Sequence, residues 1–316
     1  MREAMAHMPE IDASAPPPLA GAAEQTLAHS RETLGQRAFR SLVASKIAMV
    51  SLFVLFFLII LALFAPWIVP HPPHEMSLTN RRLFPAFSET GRSNPSYLLG
   101  TDGLGRDILS RLIYGARMTL IVAFSSVALG GFIGVMAGLL AGYFGKWADA
   151  IIMRLADLQL AFPSLLLGLV AMALLGSGVV ELVIVIALTQ WAVYARVIRS
   201  EVLKVKQLEF VQGARALGAG KWRIIFRHVF PNTVASMLVV ASFSLAIAIY
   251  YEAALSFFGL GVPPAIPTWG NMLADARDII FRDFYAPLWP GIAITVTVLA
   301  FNLLGDWLRD FFDVRI

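Results

Sequence analysis

Long uncharged apolar runs alternate along this chain with stretches dense in arginine, glycine and proline. A bilayer core of about 30 Å takes roughly 20 apolar residues when crossed as helix. Six runs approach or meet that length: 47–69, 118–142, 158–176, 179–196, 234–257 and 288–308. The first, IAMVSLFVLFFLIILALFAPWIV, carries no charge, and Gly176-Ser177-Gly178 joins the third and fourth into an expected helical hairpin. The pattern predicts an all-α membrane protein with about six transmembrane helices, occupying 47–316. Upstream, residues 1–35 show no hydrophobic period and contain Pro16-Pro17-Pro18, so this segment is expected to be a disordered tail and not a signal peptide. Residues 36–46 form an amphipathic lead-in, with Phe39, Leu42 and Val43 opposite Arg37 and Arg40.

Composition agrees with the pattern. Charged residues make up 15% of the chain, against about 25% in soluble domains, and mean hydropathy is +0.72. The net charge of +4 reads as loops facing anionic lipid, not as nucleic-acid binding. Cysteine is absent, which excludes disulfides, thiolate metal sites and cysteine nucleophiles. The loop 197–233 and its flank carry Arg196, Arg199, Lys204, Lys206, Arg215, Lys221, Arg223 and Arg227 against Glu201 and Glu209. The positive-inside rule makes it cytoplasmic, and six spans then put both termini there too. The loop 70–117 becomes external despite Arg81, Arg82, Arg92, Arg106, Arg111 and Arg117, which implies a folded element.

The most informative stretch is Glu209–Pro231, EFVQGARALGAGKWRIIFRHVFP. Phe210, Ala214 and Leu217 fall at helical spacing, Gly218-Ala219-Gly220 breaks the pattern, and Trp222, Ile225, Phe226 and Val229 resume it. Two stub helices around a glycine corner, ending at Pro231, would make a rigid knob; charge alone favours a loop lying on anionic headgroups instead. The segment resembles the EAA loop of ABC-importer permeases, with Gln212, Gly213 and Ala214 at the EAA positions, Gly218 at the glycine and Phe230-Pro231 at the ending. Gln212 and Gly213 depart from the consensus, and Glu209 supplies a carboxylate nearby. Glu209, Gln212, Gly213, Ala214, Arg215, Gly218, Trp222 and Pro231 are the expected ATPase-coupling residues.

LLGTDGLGRDILSRLIYGARMTL (98–120), ALSFFGLGVPPAIPTWG (254–270) and AFNLLGDWLRDFFDVR (300–315) resemble the C-type permease subunit of dipeptide and oligopeptide importers. The resemblance covers about residues 37–315. It implies the ABC type I importer permease fold and a role as half of a translocation pathway for peptides or peptide-like solutes. It also implies a homologous B-type permease, two cytoplasmic ABC ATPases and an external substrate-binding protein as partners, in a bacterial inner membrane. The chain has no GxxxxGK[ST] loop, so ATP and Mg belong to the partner ATPases and no enzyme activity is expected here.

Several residues carry two open readings. The glycines of LGTDGLGRD, with Asp102 and Asp107, form either a cap for the next helix or a surface for the binding protein, with Asp102, Arg106 and Trp269 as contact candidates. For Trp269 an interfacial anchor is the preferred reading. Gly130, Gly134, Gly138 and Gly142 recur every fourth residue, as in tight or mobile helix interfaces. Intramembrane polar residues are functional candidates because lipid burial is costly. Glu252, Tyr250, Gln190 and Asn302 are thus assigned to the pathway, with Glu252 alternatively paired to an arginine of 70–117. His71 and His74, in HPPH, read as a proline-constrained loop before a metal site, and no metal is expected. A gradient-driven secondary transporter and an uncoupled membrane anchor are the competing functions; neither requires a structured cytoplasmic knob.

Overall fold

The computed structural model describes residues 34–89, 91–281 and 284–313. The chain divides after Ser45. Of the first part, helix α1 (Leu34–Ala44) is described, with Phe39 and Val43 exposed. The helix takes in residues 34 and 35, which the reading above gave to the tail; the rest of that tail lies outside the described residues.

The second part is helical. It comprises α2 (Lys46–Ile68), α3 (Ile108–Phe144), α4 (Lys146–Leu160), α5 (Ser164–Leu175), α6 (Val179–Val205), α7 (Glu209–Ala216), α8 (Lys221–Ile224), α9 (Phe230–Phe257), α10 (Trp269–Ala276) and α11 (Tyr285–Asp313). Among the described residues, five helices are long and apolar enough to cross a membrane, or six if the bent pair α4–α5 counts as one span.

Of the boundaries that differ from expectation, three have a clear physical reason. Helix α3 begins ten residues early, at Ile108 instead of 118. Asp107 caps it by accepting from the Ser110 amide at 2.9 Å, and tertiary partners satisfy the polar first turns that hydropathy had assigned to a loop. The run 158–176 is not one helix: α4 and α5 meet at 89° around Ala161–Pro163. Pro163 disfavours helical backbone at Phe162 and offers no N–H of its own, and the Gln159 amide instead reaches the Thr189 carbonyl at 2.9 Å. With twelve residues, α5 is only about 18 Å long. Finally, the second stub helix does not end at Pro231. It continues through a π-turn at Ile225–Val229, where the Phe230 amide reaches back five residues to Ile225, into α9. That re-spacing accommodates a proline inside one long helix.

The α3–α6 pair forms the centre. A Cβ on Gly130, Gly134, Gly138 or Gly142 would come within 2.7, 2.3, 2.7 and 2.7 Å of Ala187, Trp191, Ala195 and Val202 respectively. The first three contacts are with backbone oxygens, so the stripe is a close-packed backbone seam. At one end lie the start of α3, the end of α9, α10 and the loop 70–107. At the other, the end of α3 meets α8.

Candidate functional site

The knob at the second end is built from the α6–α7 turn, α7 and α8. Val211, Ile224, Ile225 and Val229 are buried and hold it to the bundle. Gly218 turns the corner with φ 78°, the left-handed region that glycine adopts without steric cost. Gln212 donates from its side-chain amide to the Lys206 carbonyl at 2.8 Å. A glutamate, the EAA consensus, has no donor for this bond when ionised.

The opposite face of the knob is apolar and uncovered. Leu217 is 90% exposed at the corner and Trp222 56%, with Phe210 and Phe226 about half exposed. The expected stripe Trp222–Ile225–Phe226–Val229 is thus split, one half facing the bundle and the other facing out. Trp222 stacks on Phe226 at 6.0 Å and meets Phe144 at the end of α3 at 5.8 Å. Arg215 is exposed, as are Glu209, Gly213 and Pro231, and Ala214 is partly so.

At the first end, the segment 98–111 is an internal scaffold. Asp102 receives Arg106 Nε at 2.6 Å and an Arg111 Nη1, and its other oxygen accepts the Leu104 and Arg106 amides at 2.9 and 3.0 Å. Asp275, on α10, closes the cluster by accepting from Arg106 at 2.7 Å and Arg111 at 3.0 Å. Two acids and two guanidiniums neutralise one another in a cluster that reaches water only at Asp275. A Cβ on Gly100 would lie 2.3 Å from the Leu83 oxygen and one on Gly105 1.9 Å from the Ser77 oxygen, at φ 83° and 79°. Only glycine lets these backbones approach so closely.

The contact candidates lie inside this cluster or against it. Asp102 and Arg106 are buried in the cluster, and Trp269 is 1% exposed with its indole N–H on the Leu112 carbonyl at 3.0 Å. All three are buried here, and Arg106 and Trp269 link α10 to the segment around the start of α3. Four of the six arginines of 70–117 have structural partners: besides Arg106 and Arg111, Arg81 donates to the Gly103 carbonyl and Arg92 to the Thr79 carbonyl.

Glu252 is fully buried on α9 and lines no surface. Its partners are hydroxyls, not an arginine: Thr119 donates at 3.2 Å and Ser256 at 3.0 Å. Those hydroxyls in turn accept the Trp269 amide at 3.4 Å and the Val262 amide at 3.3 Å. The carboxylate is therefore the acceptor for two relays that begin in the 258–270 loop. Gln190 is buried on α6 with neither amide atom hydrogen-bonded. Tyr250 is half exposed and Asn302 partly so. The four pathway candidates do not form one hydrogen-bonded cluster. Thr119, Arg111, Asp275 and Lys206 were not singled out from sequence; their partners lie across the chain, and only Asp275, a lone acid in an otherwise apolar-to-neutral helix turn, offered a signal. His71 stacks on Tyr97 at 4.7 Å and His74 meets Tyr114 edge-on, and no metal-binding group of His, Asp and Glu occurs among the described residues.

Comparison with known proteins assigns this architecture. Residues 134–316 match the family described as binding-protein-dependent transport system inner membrane component, and residues 33–85 match the N-terminal TM domain of oligopeptide transport permease C. The di/tripeptide transport system permease protein DppC of Pseudomonas aeruginosa is 42% identical, over 92% of this chain and 91% of its own. The glutathione transport system permease protein GsiD of Pectobacterium atrosepticum is 44% identical, over 70% and 73%. Among solved structures, an inward-facing form of the MetNI methionine ABC transporter shares the fold, with a TM-score of 0.53 and 17% identity over 66% of this chain and 97% of that one. The chain belongs to the binding-protein-dependent transport system inner membrane components, as an ABC-importer permease of the dipeptide/oligopeptide C type.

Proposed function

We propose that this permease carries dipeptides or related peptide-like solutes inward, with the α7–α8 knob on the cytoplasmic side as the seat of an ATPase subunit. The observation that carries the reading is the uncovered apolar face of the knob, Phe210, Leu217, Trp222 and Phe226, on a segment otherwise rich in arginine and lysine. Lipid would take the aromatic residues alone; a compact apolar tip ringed by charge suits a groove on a water-soluble partner. Both termini are then cytoplasmic, and the 70–107 loop with α10 faces outward. A homologous B-type permease completes the pathway, two ABC ATPases bind and hydrolyse MgATP, and an external binding protein delivers the solute. The substrate class rests on the relatives named for di/tripeptides and glutathione.

A gradient-driven carrier has no use for such a knob, and family membership favours the importer. The test is to tag the chain, extract it in mild detergent and identify what co-purifies by mass spectrometry. ATPase subunits and a second permease are expected. Recovery of the chain alone, or as a homo-oligomer under several detergents, would overturn the proposal.

A further inference from the structure

Three side-chain contacts that chain connectivity does not require hold the knob end of α3. Lys206, the first residue after α6, donates from Nζ to the Gly142 carbonyl at 2.8 Å. That oxygen belongs to the last turn of α3, where helix geometry leaves carbonyls short of partners. Two residues further on, the Phe144 ring meets Trp222 at 5.8 Å and lies under Lys221 Nζ at 5.9 Å. Next comes a sharp corner, Gly145 and Lys146, with φ of 62° and 45°. Lys146 is one of few non-glycine residues at positive φ, a conformation that persists where surrounding structure holds it.

The corner leads into α4, whose Asp149 grips Arg199 of α6 through two bonds, one of 2.6 Å. Lys206 acts electrostatically on the same Asp149. Lys206 thus sits where α3, α4, α6 and the root of α7 converge. Helix α9 continues α8 through its backbone and follows the knob whatever the side chains do. Helix α3 has no backbone link to α7–α8, and apart from its seam with α6 it meets the knob through these contacts.

We infer that Lys206 and Phe144 make α3 a second output of the knob, so that displacement of α7–α8 drives the α3 corner as well as α9, with Lys206 as a positioning residue. The inference rests on the reading of the knob as the ATPase seat.

The test uses the complete importer, reconstituted in lipid vesicles with its second permease and ATPases, and reads how strongly the external binding protein stimulates ATP hydrolysis. Lys206→Met is expected to lower that stimulation about fivefold or more, the lower range of allosteric coupling. Lys206→Arg, which keeps a donor for the Gly142 carbonyl, restores it. Phe144→Ala, on α3 itself, lowers it similarly. Unchanged stimulation in Lys206→Met, no recovery in Lys206→Arg, or a parent importer that the binding protein does not stimulate would each overturn the inference. Loss of the ATPases from both Lys206→Met and Phe144→Ala would overturn it too, since the corner would then serve assembly. Leu217→Asp separates the underlying reading: if it retains bound ATPases with full stimulation, the knob is not their seat.

Discussion

Glu252 on α9 and Thr119 on α3 meet at 3.2 Å with no exposed surface on the carboxylate. The contact ties two spans to the segment that follows α9, because Thr119 also accepts the Trp269 amide. Glu252→Leu removes the acceptor of two buried hydroxyls and is expected to destabilise the importer by about 1–3 kcal/mol. Glu252→Gln keeps one acceptor oxygen and should cost less. Thermal unfolding in detergent checks the order; equal losses in both variants would remove Glu252 as an acceptor hub. Solute uptake should fall in Glu252→Gln more than ATPase co-purification does.

The buried ion cluster makes a ranked prediction. Asp102 holds two guanidiniums and two backbone amides, whereas Asp275 holds the guanidiniums alone and its side chain is one-third exposed. Breaking a buried pair leaves an uncompensated charge and costs about 3–5 kcal/mol when fully buried. Asp102→Ala should approach that range and Asp275→Ala fall clearly below it, by the same unfolding measurement. The reverse order would mean that α10, and not the 98–111 turn, is the keystone.

What was legible in the sequence depended on how local its cause was. Helix α2 is apolar on every face, so length alone placed it within a residue at either end. The knob was legible because its corner glycines and its apolar spacing sit within about two turns of each other. The start of α3 was not, since Arg111 is acceptable inside a helix because Asp102 in the preceding turn and Asp275, 164 positions away, neutralise it together. Glu252 looked like a pathway residue because an intramembrane acid ordinarily seeks water or a cation; hydroxyls 133 positions upstream and one turn downstream take that role instead. Pro163 did announce the α4–α5 break, but a hydropathy window averages over one proline.

Gly134 tests the close seam. Its missing Cβ would lie 2.3 Å from the Trp191 oxygen and 2.5 Å from Tyr194 Cβ. Gly134→Ala must push α3 from α6 and is expected to cost about 1–3 kcal/mol, as overpacking does, read as a lower unfolding temperature. Gly131, whose Cβ would meet the Tyr194 ring at an ordinary 3.5 Å, is the matched control. Gly131→Ala should be close to neutral.

The Gly218 corner is limited by backbone, not by space, since nothing lies within 4 Å of a Cβ built there. Gly218→Val is expected to strain the corner by about 1–2 kcal/mol, and Gly218→Asn, which tolerates positive φ, by less. Membrane insertion should survive in both, because the corner lies outside the spans. Uptake should fall in the valine variant and largely persist in the asparagine one. Equal uptake in the two would show that the corner's geometry does not matter to transport.

Gln212 replaces the consensus glutamate with a donor, and that donor closes the α6–α7 turn on the Lys206 carbonyl. Restoring the consensus should therefore loosen this chain instead of improving it. In Gln212→Glu an ionised carboxylate faces a carbonyl oxygen, two acceptors with no proton between them. For an exposed site the loss is expected to be modest, about 0.5–1.5 kcal/mol. It should be local, so hydrogen exchange at the amides of 206–216 should quicken severalfold while the α3–α6 seam is unaffected. Slower exchange in the glutamate variant would mean that the side chain finds a cation on the knob, with Arg215 the nearest in sequence, and that the amide bond to Lys206 is dispensable.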